Sequence, residues 1–265
     1  MNFKDIAATL RKSGYSPKKA DAKIAHDIVL KAIEDAGFHD KVTIKGGVVM
    51  SGITDAVRRA TIDMDVDFLG YSLGDASIQR FVQRLSRVAD CDIRIDGPIV
   101  ELRQKEYKGK RVVLSLTDEA GRSIRTKVDI GVHSNKSIQQ EDFQFKVITD
   151  SNGVVLLVNP KEQIFVEKLK SLLRLGLIST RYKDVYDLFY LRSNVDAKVL
   201  SEYLRICIFE DSSMLENNVA DIEHRLARIF SSKAFLKRMA NPDYAWIDET
   251  VDAVVGGLLG FFKGL

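Results

Sequence analysis

Asp63, Asp65 and Asp67 alternate through Arg59-Ala60-Thr61-Ile62-Asp63-Met64-Asp65-Val66-Asp67-Phe68, shortly after Lys45-Gly46-Gly47. If residues 62–68 form a strand, the three carboxylates leave one face while Ile62, Met64, Val66 and Phe68 fill the other. Carboxylates so close repel one another, and Asp is a poor strand former, so the pattern opposes both electrostatics and local propensity. Divalent cations relieve such repulsion. Two metals held here would activate an attacking hydroxyl and neutralise a triphosphate for in-line displacement. The competing explanation is a solvated edge strand whose charges guard against aggregation.

Other residues acquire meaning beside this strand. Gly46-Gly47 lies between a short strand and a helix, where backbone amides can approach a phosphate at the positive end of the helix dipole; alone, the pair is an ordinary tight turn. Asp129, in Lys127-Val128-Asp129-Ile130, supplies a further acid from another strand, as a metal ligand or as the base that deprotonates an acceptor hydroxyl. Lys168 sits near an apolar helix face, where it either snorkels to solvent or reaches a triphosphate. Arg181-Tyr182-Lys183-Asp184-Val185-Tyr186-Asp187 spaces Arg181, Asp184 and Asp187 along one helix face; capping by Asp184 explains that residue but not the others.

Those residues need elements to hold them. Ser16-Pro17 starts a helix that runs to Gly37, with Ala20, Ile24, Ile28, Val29, Ala32 and Ile33 on its buried stripe. Val42-Thr43-Ile44 is a strand entering the glycines, and a short helix follows near Val48 to Ile53. Gly74-Asp75 starts another helix with Ile78, Phe81, Val82, Leu85 and Val88 inside. From Asp92 to about Val132 the period changes to two. Val112, Leu114 and Leu116 answer Ile124, Thr126, Val128 and Ile130 across a turn at Asp118-Glu119-Ala120-Gly121, a hairpin that puts Arg125, Lys127 and Asp129 on its other face. Strands end at Val158. Asn159-Pro160-Lys161-Glu162 has the form of a capping box with Asn159 as N-cap, and the rest reads as helices broken at Gly176, near Asn194 and near Asn241-Pro242. The linker-like stretch Asp150-Ser151-Asn152-Gly153 suggests two domains, 1–155 and 156–265.

Composition sets the frame. The 265 residues are 45% hydrophobic and 29% charged, values of a globular protein rather than a disordered or collagenous one. Two cysteines, Cys91 and Cys207, without metal-ligand spacing argue against a zinc site and fit a reducing cytoplasm. The charged N-terminus lacks a signal-peptide core, and Val254-Val255-Gly256-Gly257-Leu258-Leu259-Gly260-Phe261-Phe262 is too short to span a bilayer, so no membrane association is expected. A net charge of +3, from 40 basic and 37 acidic residues, does not advertise nucleic-acid binding, although a local basic groove could still hold RNA. No recognition-helix signature or basic stripe supports sequence-specific DNA binding.

Four motifs in order, Lys45-Gly46-Gly47, Arg59-x-Thr61-x-Asp63-x-Asp65, Lys127-x-Asp129, and Glu167-Lys168-Leu169 followed by Arg181-x-Lys183-Asp184-x-x-Asp187-Leu188, resemble the AbiEii/AbiGii toxin family, a branch of the DNA polymerase beta-like nucleotidyltransferase superfamily. The resemblance spans Lys45 to about Leu191. It implies an α+β fold: a minimal nucleotidyltransferase domain, a twisted mixed sheet flanked by helices, followed by a C-terminal helical domain. It implies that Asp63, Asp65 and Asp129 are catalytic and hold Mg²⁺ or Mn²⁺. Lys45, Gly46, Gly47, Arg59, Thr61, Lys168, Arg181 and Asp184 would then serve the NTP. Gly46-Gly47 stands where many relatives of the superfamily carry Gly-Ser, so a serine contact to phosphate is missing. Asp67 lies beyond the family pair and leaves two assignments for the metals, 63 with 65 or 65 with 67. The implied activity is transfer of a nucleoside monophosphate to RNA such as tRNA, by a toxin or phage-defence component with a cognate antitoxin. A small-molecule or protein hydroxyl is the alternative acceptor, and a non-catalytic interaction protein keeping the fold is the alternative class.

Overall fold

The computed structural model describes residues 1–104, 107–133 and 138–265, the side chains of 103, 104, 107 and 108 excepted. The chain divides into two compact units, Met1–Asn159 and Pro160–Leu265. In the first, eight strands form one mixed sheet: β1 (Val42–Lys45), β2 (Met64–Phe68), β3 (Asp92–Ile95), β4 (Val100–Gln104), β5 (Tyr107–Thr117), β6 (Ser123–Val132), β7 (Glu141–Val147) and β8 (Asp150–Val158). Their order is β3-β5-β6-β2-β1-β8-β7, with β4 also on β5. β2 lies antiparallel to β1 and parallel to β6.

Helices α1 (Phe3–Lys12), α2 (Pro17–Asp35), α3 (Gly46–Thr54) and α4 (Asp75–Val88) complete this unit. Ser16 caps α2 by accepting from the Lys19 N–H, and Pro17 opens the first turn. The expected stripe of α2 is buried, but Ala22, Ala25, His26, Asp27 and Leu30 are buried too, so this helix is covered nearly all round. On α4, Ile78, Phe81, Val82 and Leu85 face inward as expected, whereas Val88 is exposed at the last turn. The core gathers Phe38, Phe68, Tyr71 and Phe81 in edge-to-face contacts with centroids 4.9–5.8 Å apart. The Asp150–Gly153 stretch opens β8, which pairs back on β7, because Gly153 adopts a φ of +71° and carries no side chain against the Phe145 carbonyl.

The second unit holds α5 (Lys161–Leu175), α6 (Tyr182–Leu191), α7 (Ala197–Leu204), α8 (Val219–Phe230), α9 (Lys233–Met239) and α10 (Val251–Lys263). The capping box at its start is not formed. Pro160 occupies the N-cap position of α5, one residue later than expected, and makes no side-chain cap. Asn159 is instead buried, and Glu162 accepts from the Asp196 N–H at 2.7 Å, ahead of α7. No described helix is long and apolar enough to cross a membrane.

Candidate active site

Strand β2 is shorter than the alternation suggested. It begins at Met64, so Asp63 and Ile62 lie in the bend before it, both exposed. Met64, Val66 and Phe68 fill the core as expected; Ile62 does not, because the ladder has not yet started there. Thr61 Oγ1 donates to the Asp63 carbonyl at 3.4 Å, and His26 Nε2 meets the Ile62 carbonyl at 3.1 Å, so this bend is fixed from both sides. Burial pushes the His26 pKa down to about 4. The ring is therefore neutral, and Nε2 carries the hydrogen that Ile62 accepts.

Register brings the charged residues into one row. Lys45 on β1 opposes Asp65 on β2, Asp65 opposes Asp129 on β6, and Asp129 opposes Arg111 on β5. Opposed residues of neighbouring strands project from the same face, and adjacent strands lie about 4.8 Å apart. Two acids thus sit side by side with a cation at each end. At one end Lys45 Nζ reaches diagonally to Asp67 Oδ1 at 2.7 Å, both side chains being nearly buried. At the other, Arg111 grips Asp129 with two bonds, Nε to Oδ1 at 2.6 Å and Nη2 to Oδ2 at 2.8 Å. The Asp129 contact, followed by the charges of Asp63 and Asp65, raises the Arg111 pKa.

The glycines admit neighbouring side chains. A Cβ on Gly46 would lie 2.4 Å from Asp65 Oδ2, and one on Gly47 would lie 2.6 Å from Thr61 Oγ1 and 2.8 Å from Thr61 Cβ. Asp65 and Thr61 are therefore seated on the N-terminus of α3, where the helix dipole favours a carboxylate. Arg59 is buried in the short turn Val57–Arg59 just before this loop. Behind α3 a cavity of ≈ 90 Å³, lined by Tyr15, Lys23, His26, Asp27, Ser51 and Thr61 among others, has room for a few waters and not for a nucleotide.

Asp67 is ion-paired with Lys45. The carboxylates of Asp63 and Asp65 are hard oxygen donors, of the kind that Mg²⁺ or Mn²⁺ takes. Among the described residues, no three His, Cys, Asp or Glu side chains stand together as a ready ligand set, and Asp129 is turned onto Arg111. The guanidinium stands in the field of all three acids, Asp129 foremost.

Lys168, Arg181 and Asp184 belong to the second unit. Lys168 Nζ neither snorkels nor stands alone: it binds Asp184 Oδ1 at 2.5 Å and Asp187 Oδ2 at 2.8 Å. Asp187 is buried and also accepts from Trp246 Nε1 at 3.0 Å. Arg181 Nη1 lies 3.8 Å from Asp184 Oδ2, so Asp184 is a salt-bridge partner in the first turn of α6 rather than its cap. Arg111 and His26 were missed by sequence reasoning. Arg111 had a signal, since counting back from the Asp118–Gly121 turn sets it opposite Asp129; His26 had none.

Comparison with known proteins bears on the same elements. The family model described as "Nucleotidyl transferase AbiEii toxin, Type IV TA system" matches residues 28–243. A crystal structure of an antigenic nucleotidyltransferase-like protein from Paracoccidioides brasiliensis aligns with 15% identity and a TM-score of 0.44, covering 80% of this chain and 91% of that one. No curated protein matches.

Proposed function

The chain belongs to the AbiEii family of nucleotidyltransferase toxins of type IV toxin–antitoxin systems, and from that premise we propose that it transfers a nucleoside monophosphate from an NTP to an RNA acceptor such as tRNA. The row Lys45, Asp65, Asp129, Arg111 beside the N-terminus of α3 is the observation that carries this reading. Asp63 and Asp65 would hold a divalent cation, which supplies charge neutralisation of the triphosphate when bound. The start of α3 binds phosphate through backbone amides. Asp129 takes the proton of the acceptor hydroxyl as its oxygen bonds to the α-phosphorus; the bond to pyrophosphate breaks, and pyrophosphate leaves. Lys45 holds Asp67 in an ion pair, out of the exchange. An antitoxin is the expected genetic partner.

Incubating the purified protein with labelled NTPs, Mg²⁺ and total tRNA is expected to label RNA. Asp63→Ala combined with Asp65→Ala should reduce labelling by at least about 10³-fold, since it removes the groups that organise charge at the phosphate. Labelling that survives the double variant rejects the site. Label found in protein or in a small molecule instead assigns the acceptor accordingly.

A further inference from the structure

We propose that Arg111 is the resident counter-cation of the acid row, that it competes with the divalent cation for Asp129, and that once displaced its guanidinium binds a phosphate of the nucleotide. The inference rests on the nucleotidyltransferase reading of this site and assigns a role to a residue outside the four motifs.

Arg111 binds both oxygens of Asp129, so a metal or a hydroxyl proton has to compete with the guanidinium for that carboxylate. The two ends of the row differ in how firmly they are closed. The Lys45–Asp67 pair is nearly buried, with side chains 13% and 8% exposed, whereas Arg111 is 40% exposed over an Asp129 that is 16% exposed. An exposed ion pair is held weakly, and a dication interacts with a carboxylate twice as strongly as a guanidinium at equal distance. Displacement at this end is therefore the cheaper one. The arginine does not travel far: it is anchored on β5 directly across from Asp129, one strand further from Asp65. Its planar fork, which matches a carboxylate here, matches a phosphate equally well. Exchange of one anion for the other keeps the guanidinium paired throughout, and the two acids left behind acquire a cation of higher charge.

Mn²⁺ binding followed by electron paramagnetic resonance without nucleotide, and nucleotide binding at saturating Mn²⁺, test this on the full chain. Arg111→Gln should bind Mn²⁺ about 3- to 10-fold tighter and nucleotide about 10-fold weaker. Asp129→Asn should weaken Mn²⁺ binding more in the Arg111→Gln background than in the wild type, where the arginine already masks it. A structural role for Arg111 would not move the two affinities in opposite directions. Unchanged or weaker Mn²⁺ binding in a folded Arg111→Gln protein overturns the proposal, as does unchanged nucleotide affinity. Should Arg111→Gln fail to fold, Arg111→Lys, which keeps the charge and loses the fork, must still show tighter Mn²⁺ binding, and no increase overturns it. If neither wild type nor variant binds Mn²⁺, the metal-dependent reading falls as well; equal binding by both removes only the role of Arg111.

Discussion

An alanine at position 46 would have to place its Cβ 2.4 Å from Asp65 Oδ2 while holding a φ of +64°. The backbone conformation alone costs about 1–2 kcal/mol in a non-glycine residue, and the contact displaces the Asp65 carboxylate, one of the two proposed to hold the cation. Gly46→Ala is therefore expected to lower transfer by at least about tenfold beyond what its loss of stability explains. Gly121, in the β5–β6 turn, has a φ of +81° with no atom within 4 Å of the place a Cβ would take, so Gly121→Ala carries the same backbone strain without the collision. Activity lost at position 46 and kept at position 121, with both proteins folded at the assay temperature, is the expected result. Equal activity would show that Asp65 need not sit where it does. Thr61 makes the same argument for Gly47, since there the clash involves its Cβ at 2.8 Å, an atom that cannot swing aside without moving the bend that carries Asp63.

Strand register, at the scale of elements, decided which acids could cooperate. The alternation of Val112, Leu114 and Leu116 against Ile124, Val128 and Ile130 was legible because each strand buries one face and solvates the other, and it already placed Asp129 among bases on the open side. The parallel pairing of β2 with β6, which sets Asp129 beside Asp65, was not in any local pattern, because the two strands are joined through four intervening elements. The β7–β8 hairpin hid behind Asp150-Ser151-Asn152-Gly153, whose composition is that of a linker although its backbone continues a ladder. α2 posed the opposite difficulty: its apolar stripe was plain, but His26 and Asp27 are polar residues buried on the remaining face, where Lys23 binds Asp27 at 2.6 Å and the Ile148 N–H donates to it at 2.9 Å. Burial lowers the His26 pKa from 6.5 to about 4, so across that window the unfolded chain binds a proton that the folded chain refuses. Stability from neutral His26 is present above pH 6.5 and falls as pH drops, by up to about 3 kcal/mol near pH 4. Burial raises the Asp27 pKa against the pull of the Lys23 ammonium, and its contribution runs the other way, lost as pH rises. The comparison with His26→Gln separates the two: denaturant unfolding at pH 7 and pH 5 should show a smaller loss on acidification in the variant, and equal losses would mean that His26 is not the group being titrated.

Two compact units make one chain, and each brings an ion cluster built by different rules. The row on the sheet is exposed at one end and rich in acids. The cluster of Lys168, Asp184 and Asp187 is closed: Lys168 is 11% exposed, Asp187 not at all, and Trp246 donates to the same carboxylate. Removing one partner of such a cluster leaves buried charge behind, which costs about 3–5 kcal/mol. If Lys168 is held there to keep the helical unit folded, Lys168→Ala should lower the melting temperature by about 6–15 °C, and hydrogen exchange should report earlier opening in α5 and α6 than in β2 and β6. If the lysine also serves the triphosphate, Lys168→Ala should raise the KM for NTP at a temperature where the protein is still folded, with the helical unit protected as in the wild type. Measuring both on one variant separates the roles. A melting temperature unchanged together with an unchanged KM would remove Lys168 from either account.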